Sequence, residues 1–529
     1  MKVIVIGGGV GGLAAAIRLA ARGVTVRLIE KNPLVGGKLN LWQVPHPARP
    51  HDRPFRFDTG PSLLTLPFIL ADLFEAAGED VRNWLNIIKL DPIARFQWAD
   101  GTHLSLRLDP QAMAGEIRRV APGDVEGFDR FLARGRKIWD LSAETFLFHA
   151  PEQILKSGEN FSPKAALSML LIPLRIGMFA NYARLVNRHV RDRRLREVLY
   201  QYATYSGSSP FKAAATLAVI PHAELYYGGW YPAGGMYQIA ARLEELARKL
   251  GVEIQTNCAV EKILIQSPAD AASGGAPASA GTKPRKASAR VIGVALACGE
   301  QIACDAVIAN SDVVYTYRHL IDEAHRPHWP AGKLSKLDPG GSGMVLLLGV
   351  DGEYPQLAHH TKFMPADYTS DLRAMFETKS IPIDPCIYVC ASTRTDPTQA
   401  PPGCENLFVL CSAPPLDGRL DWSLEGERYE RQIIATLENR WGLTDLSRRI
   451  VVKRRITPVD MQSLYHANAG SIYGISGNSR RTAFLRPPNR DKRIAGLYFA
   501  GGATHPGGGL PLVALSGKIA AEMVLEDAT

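Results

Sequence analysis

A glycine-rich turn near the start of the chain has the spacing of a dinucleotide phosphate site. Gly7, Gly9 and Gly12 give the pattern G-x-G-x-x-G, directly after the apolar run KVIVI and before an alanine-rich run. The first glycine permits a tight turn, the second lets the backbone approach a pyrophosphate, and the third lets a helix pack closely on the strand. The N–H groups at the start of that helix would face the phosphates. Glu30, at the end of the next predicted strand, stands where a carboxylate accepts the ribose hydroxyls.

A second glycine turn, carrying cations, follows that strand. The run EKNPLVGGK continues from Glu30 and Lys31 to Gly37 and Lys38. Such a turn can bring N–H groups and the Lys38 ammonium to another face of the pyrophosphate. The alternative is an ordinary surface turn with a solvated lysine. Because the first motif lies so close, we favour the phosphate interpretation.

Hydrophobic periodicity indicates the elements that position these turns. Residues Lys2 to Glu30 are typical of strand, turn, helix and strand, and residues 125–205 have a mostly helical, basic pattern. An amphipathic helix closed by Gly251 precedes two further short strands. The segment 267–289 is rich in Ala, Gly, Pro and Ser and is predicted to be a flexible surface loop.

Composition limits the class of protein. With 529 residues and 46% hydrophobic content, the chain requires two or three domains. Its net charge of +9 permits nucleic acid, anionic lipid or an acidic ligand as partner, or simply a solvated basic surface. No aromatic-interleaved basic module is present, so nucleic acid is not expected. The seven cysteines include no CxxC pair, which argues against a zinc site or disulfide framework and indicates a reducing compartment.

Four stretches together resemble the FAD-dependent phytoene desaturase family, which includes carotenoid desaturases, oxidases and isomerases within the amine-oxidase-like flavoproteins. They are GGGVGG with EKNPLVGGK, then FDTGPSLL, then GGWYPAGGMYQIAARLEELA, and finally LYFAGGATHPGGGLPLVALSG. The resemblance covers nearly the whole chain in the same order. Amine oxidases often carry an acidic residue straight after the LYFAG strand, whereas this chain has Gly502 there. That departure agrees with the carotenoid branch.

The resemblance implies FAD as the cofactor and assigns roles to individual residues. Glu30 would bind the adenosine ribose, Lys38 a phosphate, and the Val260 backbone the adenine. Asn310 would end a strand beside the cofactor. Backbone N–H groups near the last glycine loop would reach the ribityl phosphate and the flavin ring, with the next helix aimed at the flavin. The full implied set is Gly7, Gly9, Val10, Gly11, Gly12, Glu30, Lys31, Gly37, Lys38, Gly60, Pro61, Ser62, Val260, Asn310, Gly501, Gly502, Leu510 and Pro511.

The expected fold is α/β, with a discontinuous Rossmann-type FAD-binding domain and a mixed α+β domain for substrate and membrane. The FAD-binding domain is predicted to comprise residues 1–105, 222–315 and 455–529. Residues 106–221 and 316–454 form the second domain in this prediction.

The resemblance also implies a reaction. We expect desaturation of a linear isoprenoid or carotenoid precursor, with a hydride passing from an allylic C–H to flavin N5 and a proton leaving to a base or solvent. A quinone or oxygen would then reoxidise the flavin. Terminal oxidation and isomerisation are alternatives within the family; an amine oxidase and a non-catalytic FAD-stabilised scaffold are more distant ones. No catalytic acid or base is identified, and no metal is expected.

A cytoplasmic protein attached peripherally to a membrane is expected. The apolar run at residues 165–180 is too short and too interrupted, by Pro173, Arg175 and Gly177, to span a bilayer. Arginines follow it, as in an interfacial anchor, although a core helix followed by a solvated one is the alternative. These arginines are Arg184, Arg188, Arg191, Arg193, Arg194 and Arg196.

Three other groups of side chains invite a functional interpretation. His505 in a Thr-His-Pro-Gly turn is tempting as a base, but a role in shaping the cofactor loop is favoured because no partner is visible. His359 and His360 suggest a metal pair, yet neighbours on a strand point apart, so surface histidines are expected. The cluster of Tyr226, Tyr227, Trp230 and Tyr231 fits an apolar tunnel or ordinary core equally well.

Overall fold

The computed structural model describes residues 1–143, 147–149, 172, 174–267, 289–479 and 486–529. Most of the predicted loop at 267–289, and residues 165–171 and 173 of the apolar run, lie outside this description. None of the helices in the described part of the chain is both long enough and apolar enough to cross a membrane.

Twenty strands and fifteen α-helices are described, joined by turns and short 3₁₀ and π segments. The strands are β1 (Lys2–Ile6), β2 (Thr25–Ile29), β3 (Leu41–Val44), β4 (Phe55–Asp58), β5 (Ile87–Lys89), β6 (Ala94–Gln97), β7 (His103–Leu106), β8 (Trp230–Pro232), β9 (Glu253–Gln255), β10 (Val260–Gln266), β11 (Ala289–Leu296), β12 (Gln301–Ala303), β13 (Ala306–Ala309), β14 (Ser342–Asp351), β15 (His360–Phe363), β16 (Ile387–Ala391), β17 (Cys404–Ala413), β18 (Ile450–Ile456), β19 (Ile494–Ala495) and β20 (Leu497–Phe499). The helices are α1 (Val10–Ala20), α2 (Pro67–Glu75), α3 (Pro110–Val120), α4 (Val125–Ser142), α5 (Tyr182–His189), α6 (Arg193–Thr204), α7 (Val219–Tyr227), α8 (Tyr237–Lys249), α9 (Val313–Tyr315), α10 (Ala331–Leu334), α11 (Tyr368–Arg373), α12 (Trp422–Asn439), α13 (Leu446–Arg449), α14 (Pro458–Tyr465) and α15 (Leu510–Ala528).

A five-stranded parallel sheet carries the first glycine turn. Its order is β20-β13-β1-β2-β9, and every neighbouring pair is parallel. The central strand β1 is buried on both faces, as a parallel strand covered on each side must be. Ile6 lies opposite Ile29 and Ala309, so the strands end together at one edge. This sheet confirms the predicted Rossmann-type α/β fold.

Helices α1, α8 and α15 cover one face of the parallel sheet, and the sheet of β10, β11, β12 and β19 lies on the other. α1 and α15 approach very closely. A Cβ atom on Gly517 would lie 2.3 Å from the Gly11 carbonyl oxygen, so the crossing requires a glycine. The third glycine of the motif behaves as predicted, since a Cβ on Gly12 would lie 2.2 Å from the Gly7 carbonyl oxygen.

A seven-stranded sheet forms the second layer of the molecule, in the order β18-β14-β17-β16-β15-β6-β7. Its neighbouring strands are antiparallel except β15 and β6. Helix α12 packs on one face through Trp422, Tyr429 and Ile433, and the β3–β4 hairpin packs on the other through Phe55 and Phe57. Helices α3 to α6 bury their apolar faces in a cluster that includes β6 and β7.

Candidate functional site

A cavity of about 520 Å³ begins at the carboxyl edge of the parallel sheet and continues along β14 to β17 of the seven-stranded sheet. The edge of a parallel sheet where strands end is the usual place for a ligand in this fold. All the cofactor-binding residues predicted from the sequence border this cavity except Gly11 and Gly12, which are packed beneath it against α15 and Gly7. The structure therefore gathers residues from distant parts of the chain around one space.

The glycine turn after β1 wraps around the side chain of Asn310. Gly7 has φ of +96°, which strains any residue with a side chain. The Asn310 amide nitrogen donates to the Gly7 carbonyl oxygen at 3.2 Å. A Cβ on Gly9 would lie 2.7 Å from that nitrogen. A side chain at position 9 would therefore displace the Asn310 amide and also enter the space predicted for a phosphate.

Two helix N-termini face the cavity. Helix α1 begins at Val10 and α15 at Leu510, and both residues border the space. Neither helix has a side-chain cap or an acidic residue in its first turn. The first N–H groups of a helix have no partner within it, and together with the helix dipole they favour an anion. This arrangement provides two anion-binding positions along one cavity.

Glu30 is held in place by backbone donors on both of its carboxylate oxygens. The Gly8 N–H donates to Oε2 at 2.7 Å and the Asn32 N–H to Oε1 at 2.8 Å. Its side chain is buried at the end of β2 and borders the cavity. A fixed, buried acceptor beside the glycine turn is the geometry that the ribose interpretation requires.

The second glycine turn packs directly on the first, because the Gly36 N–H donates to the Gly8 carbonyl at 2.7 Å. The Lys38 ammonium borders the cavity and donates to the carbonyls of Ser471 at 2.9 Å and Ile472 at 2.6 Å. Burial lowers the pKa of Lys38 to about 8, although Asp312 opposes the shift. The ammonium of Lys38 therefore lies beside the cavity, as the phosphate interpretation requires. Two of its three N–H donors already bind backbone carbonyls.

Beyond Ser62 the cavity becomes apolar and aromatic. Its walls include Tyr205, Met375, Phe376, Phe408 and Leu410, which come from the C-cap of α6, from the segment after α11 and from β17. Nothing in the sequence separates these residues from ordinary core positions, so sequence reasoning missed this chamber. Only the structure shows that it is continuous with the glycine-lined part.

A few polar side chains interrupt the apolar wall. The Tyr388 hydroxyl lies 2.6 Å from the Ser62 hydroxyl and 2.7 Å from His360 Nδ1. Gln201 and Lys362 border the same region and hydrogen-bond to each other. Sequence reasoning did not identify Gln201, Lys362 or Tyr388.

The prediction that His359 and His360 lie at the surface is wrong. They are only 5% and 2% exposed, and their ring centres are 4.4 Å apart. His359 precedes β15 instead of lying within it, so the alternation of strand neighbours does not separate the two side chains. Each ring has a hydroxyl on Nδ1, from Thr395 for His359 and Tyr388 for His360. Burial lowers the pKa of both, that of His359 to about 3, so both are neutral near pH 7.

The structure also shows the surroundings of His505 and of the aromatic cluster. The His505 carbonyl accepts from Ser516 at 2.8 Å and from Asn489 at 2.9 Å, which fits a role in shaping the last glycine loop. The aromatic cluster divides: Tyr231 is fully buried and Tyr226 is 62% exposed. No member of that cluster is among the residues that border the cavity, so the tunnel interpretation is not supported.

Comparison with known proteins finds relatives that match nearly the whole chain. Residues 10–525 match the family described as flavin containing amine oxidoreductase. The chain is 35% identical to 4,4'-diapolycopene oxygenase of Methylomonas sp, covering 99% of this chain and 98% of the relative. It is 33% identical to the zeta-carotene-forming phytoene desaturase of Myxococcus xanthus, covering 99% and 94%. It is 31% identical to 4,4'-diaponeurosporene oxygenase of Staphylococcus haemolyticus, covering 99% and 97%.

Solved structures share the fold at low sequence identity. An oxidoreductase from Methanosarcina mazei has a TM-score of 0.60 at 17% identity, covering 99% of this chain and all of that one. Putrescine oxidase bound to putrescine has a TM-score of 0.59 at 15% identity, covering 100% and 99%. At these sequence identities the similarity shows a shared fold only.

Proposed function

The chain belongs to the family of flavin-containing amine oxidoreductases, and from that membership we propose that it is an FAD-dependent desaturase of a linear, carotenoid-type isoprenoid. Its similarity to carotenoid oxygenases and to a phytoene desaturase supports the substrate class. One observation carries the proposal: the two glycine turns and an apolar chamber border a single continuous cavity. Terminal oxidation of the same kind of polyene is the second candidate, since the chamber contains a lysine and a glutamine.

The residues around the glycine turns fit FAD. Gly7 and Gly9 leave the backbone open, and the uncapped start of α1 offers its N–H groups to a pyrophosphate. The Glu30 carboxylate is fixed where it can accept the ribose hydroxyls. The uncapped start of α15 borders the same cavity. The other predicted cofactor-binding residues that border the cavity belong to the same proposal.

Bound FAD supplies the hydride acceptor for oxidation of an allylic C–H bond. The protein's own contribution is to hold the polyene beside that acceptor and to exclude water. A hydrocarbon chain offers no charged group, so the aromatic and aliphatic walls must bind it by apolar burial, worth about 25 cal/mol per Å². Tyr205, Phe376 and Phe408 provide such walls. Reoxidation of the flavin by a quinone or by oxygen completes the proposed cycle.

Anaerobic mixing of the FAD-loaded protein with an acyclic carotenoid precursor in liposomes tests this function. We expect the flavin absorption to bleach and a polyene with longer-wavelength absorption to form. Small amines should leave the flavin oxidised. Rapid reduction by amines, with none by any linear isoprenoid, would support an amine oxidase and contradict the proposal.

Peripheral binding to a membrane is the second part of the proposal. Leu174 is 63% exposed and Phe179 is 53% exposed, with Arg175 between them. Arg184 and Arg188 on α5 are also exposed. Apolar side chains beside arginines suit the boundary between headgroups and acyl chains of an anionic membrane. Residues 106–221 and 316–454 make up the proposed substrate and membrane domain.

A further inference from the structure

The side chain of a lysine lies among the few polar groups in the wall of the chamber. Lys362 is on β15, which is enclosed between β6 and β16, and its side chain borders the cavity. Its ammonium lies 5.3 Å from the ring centre of Tyr205, 5.5 Å from that of Tyr388 and 5.7 Å from that of Phe96. Within about 6 Å an aromatic face attracts a cation. Three rings therefore hold this ammonium at the wall of the chamber.

The hydrogen bonds around Lys362 leave donors in excess. Its Nζ donates to Oε1 of Gln201, the one acceptor that it contacts among the residues that the structure describes. An ammonium has three donors, so two have no protein acceptor in this part of the chain. The Gln201 Nε2 is buried and also has no hydrogen-bond partner. Buried donors without acceptors are costly, and a ligand oxygen would relieve that cost.

The nearby acidic group does not remove this excess. Glu224 is buried and accepts a hydrogen bond from the Tyr202 hydroxyl at 2.7 Å. No ion pair joins Glu224 to Lys362 in the described part of the chain, although the carboxylate is close enough to act on the ammonium electrostatically. Burial lowers the pKa of Lys362, while Cys386 and Glu224 oppose that shift. The amine is a hydrogen-bond donor in either protonation state.

Tyr388 connects this polar group to the cofactor side of the cavity. Its ring faces the Lys362 ammonium, and its hydroxyl is bound to Ser62, which directly follows Gly60 and Pro61. A ligand oxygen at Lys362 would therefore lie in the part of the chamber next to this segment.

We infer that Lys362 and Gln201 bind the oxygen atom of an oxygenated polyene end, an alcohol or an aldehyde. The chamber is then selective for a terminally oxygenated isoprenoid over the hydrocarbon of the same length. This inference rests on the proposed function and narrows its substrate class. A purely hydrocarbon end would leave both donors without an acceptor, whereas one carbonyl oxygen has lone pairs for each of them.

Binding of two probes of equal carbon number tests the inference: an acyclic polyene aldehyde and the matching hydrocarbon. The FAD-loaded protein is first reduced with dithionite, so that binding is measured without turnover. In the wild type we expect tighter binding of the aldehyde and a red shift of its absorption, because a hydrogen-bond donor on the carbonyl polarises the conjugated chain.

Lys362→Met keeps the length of the side chain and removes the donor. It should weaken aldehyde binding by about tenfold or more and abolish the red shift, whereas hydrocarbon binding should be unchanged or tighter, because no donor is left without an acceptor. Gln201→Leu should also weaken aldehyde binding, by a smaller factor. If Lys362→Met does not retain FAD, the inference is tested with Gln201→Leu instead. Lys336→Met, at an exposed lysine, is the matched control and should change neither probe.

Equal effects of Lys362→Met on the two probes, or a red shift that persists in the variant, would overturn the inference. Failure of the proposed function has a different signature. In that case no linear polyene reduces the wild-type flavin under anaerobic conditions, whatever happens at position 362.

Discussion

The side-chain amide of Asn310 donates to the Gly7 carbonyl oxygen over 3.2 Å, so the end of β13 secures the turn that follows β1. These residues lie far apart in sequence and meet because their strands are parallel neighbours that end at the same edge. The amide also fills the space next to Gly9, where a Cβ would come within 2.7 Å of its nitrogen.

Gly9→Val should abolish FAD retention. The new side chain would displace Asn310 and also occupy the space that the pyrophosphate needs. The ratio of flavin absorbance to protein absorbance after gel filtration measures the effect. Gly115→Val, at a helical position where a Cβ would meet nothing within 4 Å, is the control and should retain FAD. Yellow, flavin-loaded Gly9→Val protein would refute the assignment.

Glu30→Gln should weaken FAD binding by about 10- to 100-fold and lower the unfolding free energy by about 1–3 kcal/mol. The carboxylate accepts from Gly8 and Asn32, and in glutamine the amide NH₂ would face one of these N–H donors. Titration of the apoprotein with FAD and thermal unfolding measure the two effects. Glu427→Gln, at an exposed position on α12, should leave both unchanged. Wild-type FAD affinity in Glu30→Gln would contradict the ribose role.

FAD affinity should fall as pH rises through about 8, the pKa to which burial lowers Lys38. A lysine whose folded-state pKa is lowered is charged only below that value. The anionic pyrophosphate favours the charged form, so above pH 8 binding must take up a proton. We expect the FAD dissociation constant to be level below pH 8 and to rise by up to about tenfold per pH unit above it.

Lys38→Met tests whether this dependence belongs to Lys38. The variant should bind FAD more weakly at pH 7 and should lose the rise between about pH 8 and 9.5. If the wild type and the variant follow parallel curves, the Lys38 ammonium serves only the carbonyls of Ser471 and Ile472.

The grouping of the glycine turns and Glu30 at one edge of the sheet was predictable, because these residues are close together in the sequence. Gly7, Gly9 and Glu30 fall within one strand–turn–helix–strand unit. In such a unit the glycines let the backbone approach a phosphate, and the carboxylate accepts hydrogen bonds from a ribose. The parallel sheet follows from the same unit. The packing role of Asn310 against Gly9 was not visible, because it depends on which strand lies beside β1.

The chamber was not predictable from local patterns. Gln201 and Lys362 are 161 residues apart, on a helix and on a strand of a different layer. Neither residue belongs to a recognisable sequence motif. Only their hydrogen bond at the cavity wall marks them as candidate ligand-binding residues. For His359 and His360 a local rule was applied where it does not hold. The alternation of side chains within a strand was assumed for both residues, but β15 begins at His360, and His359 lies before it.

Replacing Leu174 and Phe179 by serine should weaken binding to anionic vesicles by about tenfold or more, because two exposed apolar side chains no longer enter the bilayer interface. Vesicle flotation measures the bound fraction. High salt should weaken wild-type binding further, since exposed charges are screened over about 10 Å at 0.1 M ionic strength. Leu424→Ser, at a leucine 70% exposed on α12, is the control. Equal flotation of the double variant and the wild type would exclude this face.

The placement of β20 has a consequence for biosynthesis. Strand β20 covers β13 at the edge of the parallel sheet, and the segment after it brings Gly501 and Leu510 to the cavity. While the ribosome is still translating the preceding residues, β13 presents an open apolar edge, a surface on which chains aggregate. The parallel sheet and the last wall of the cavity can therefore be completed only after residues 497–511 have left the exit tunnel.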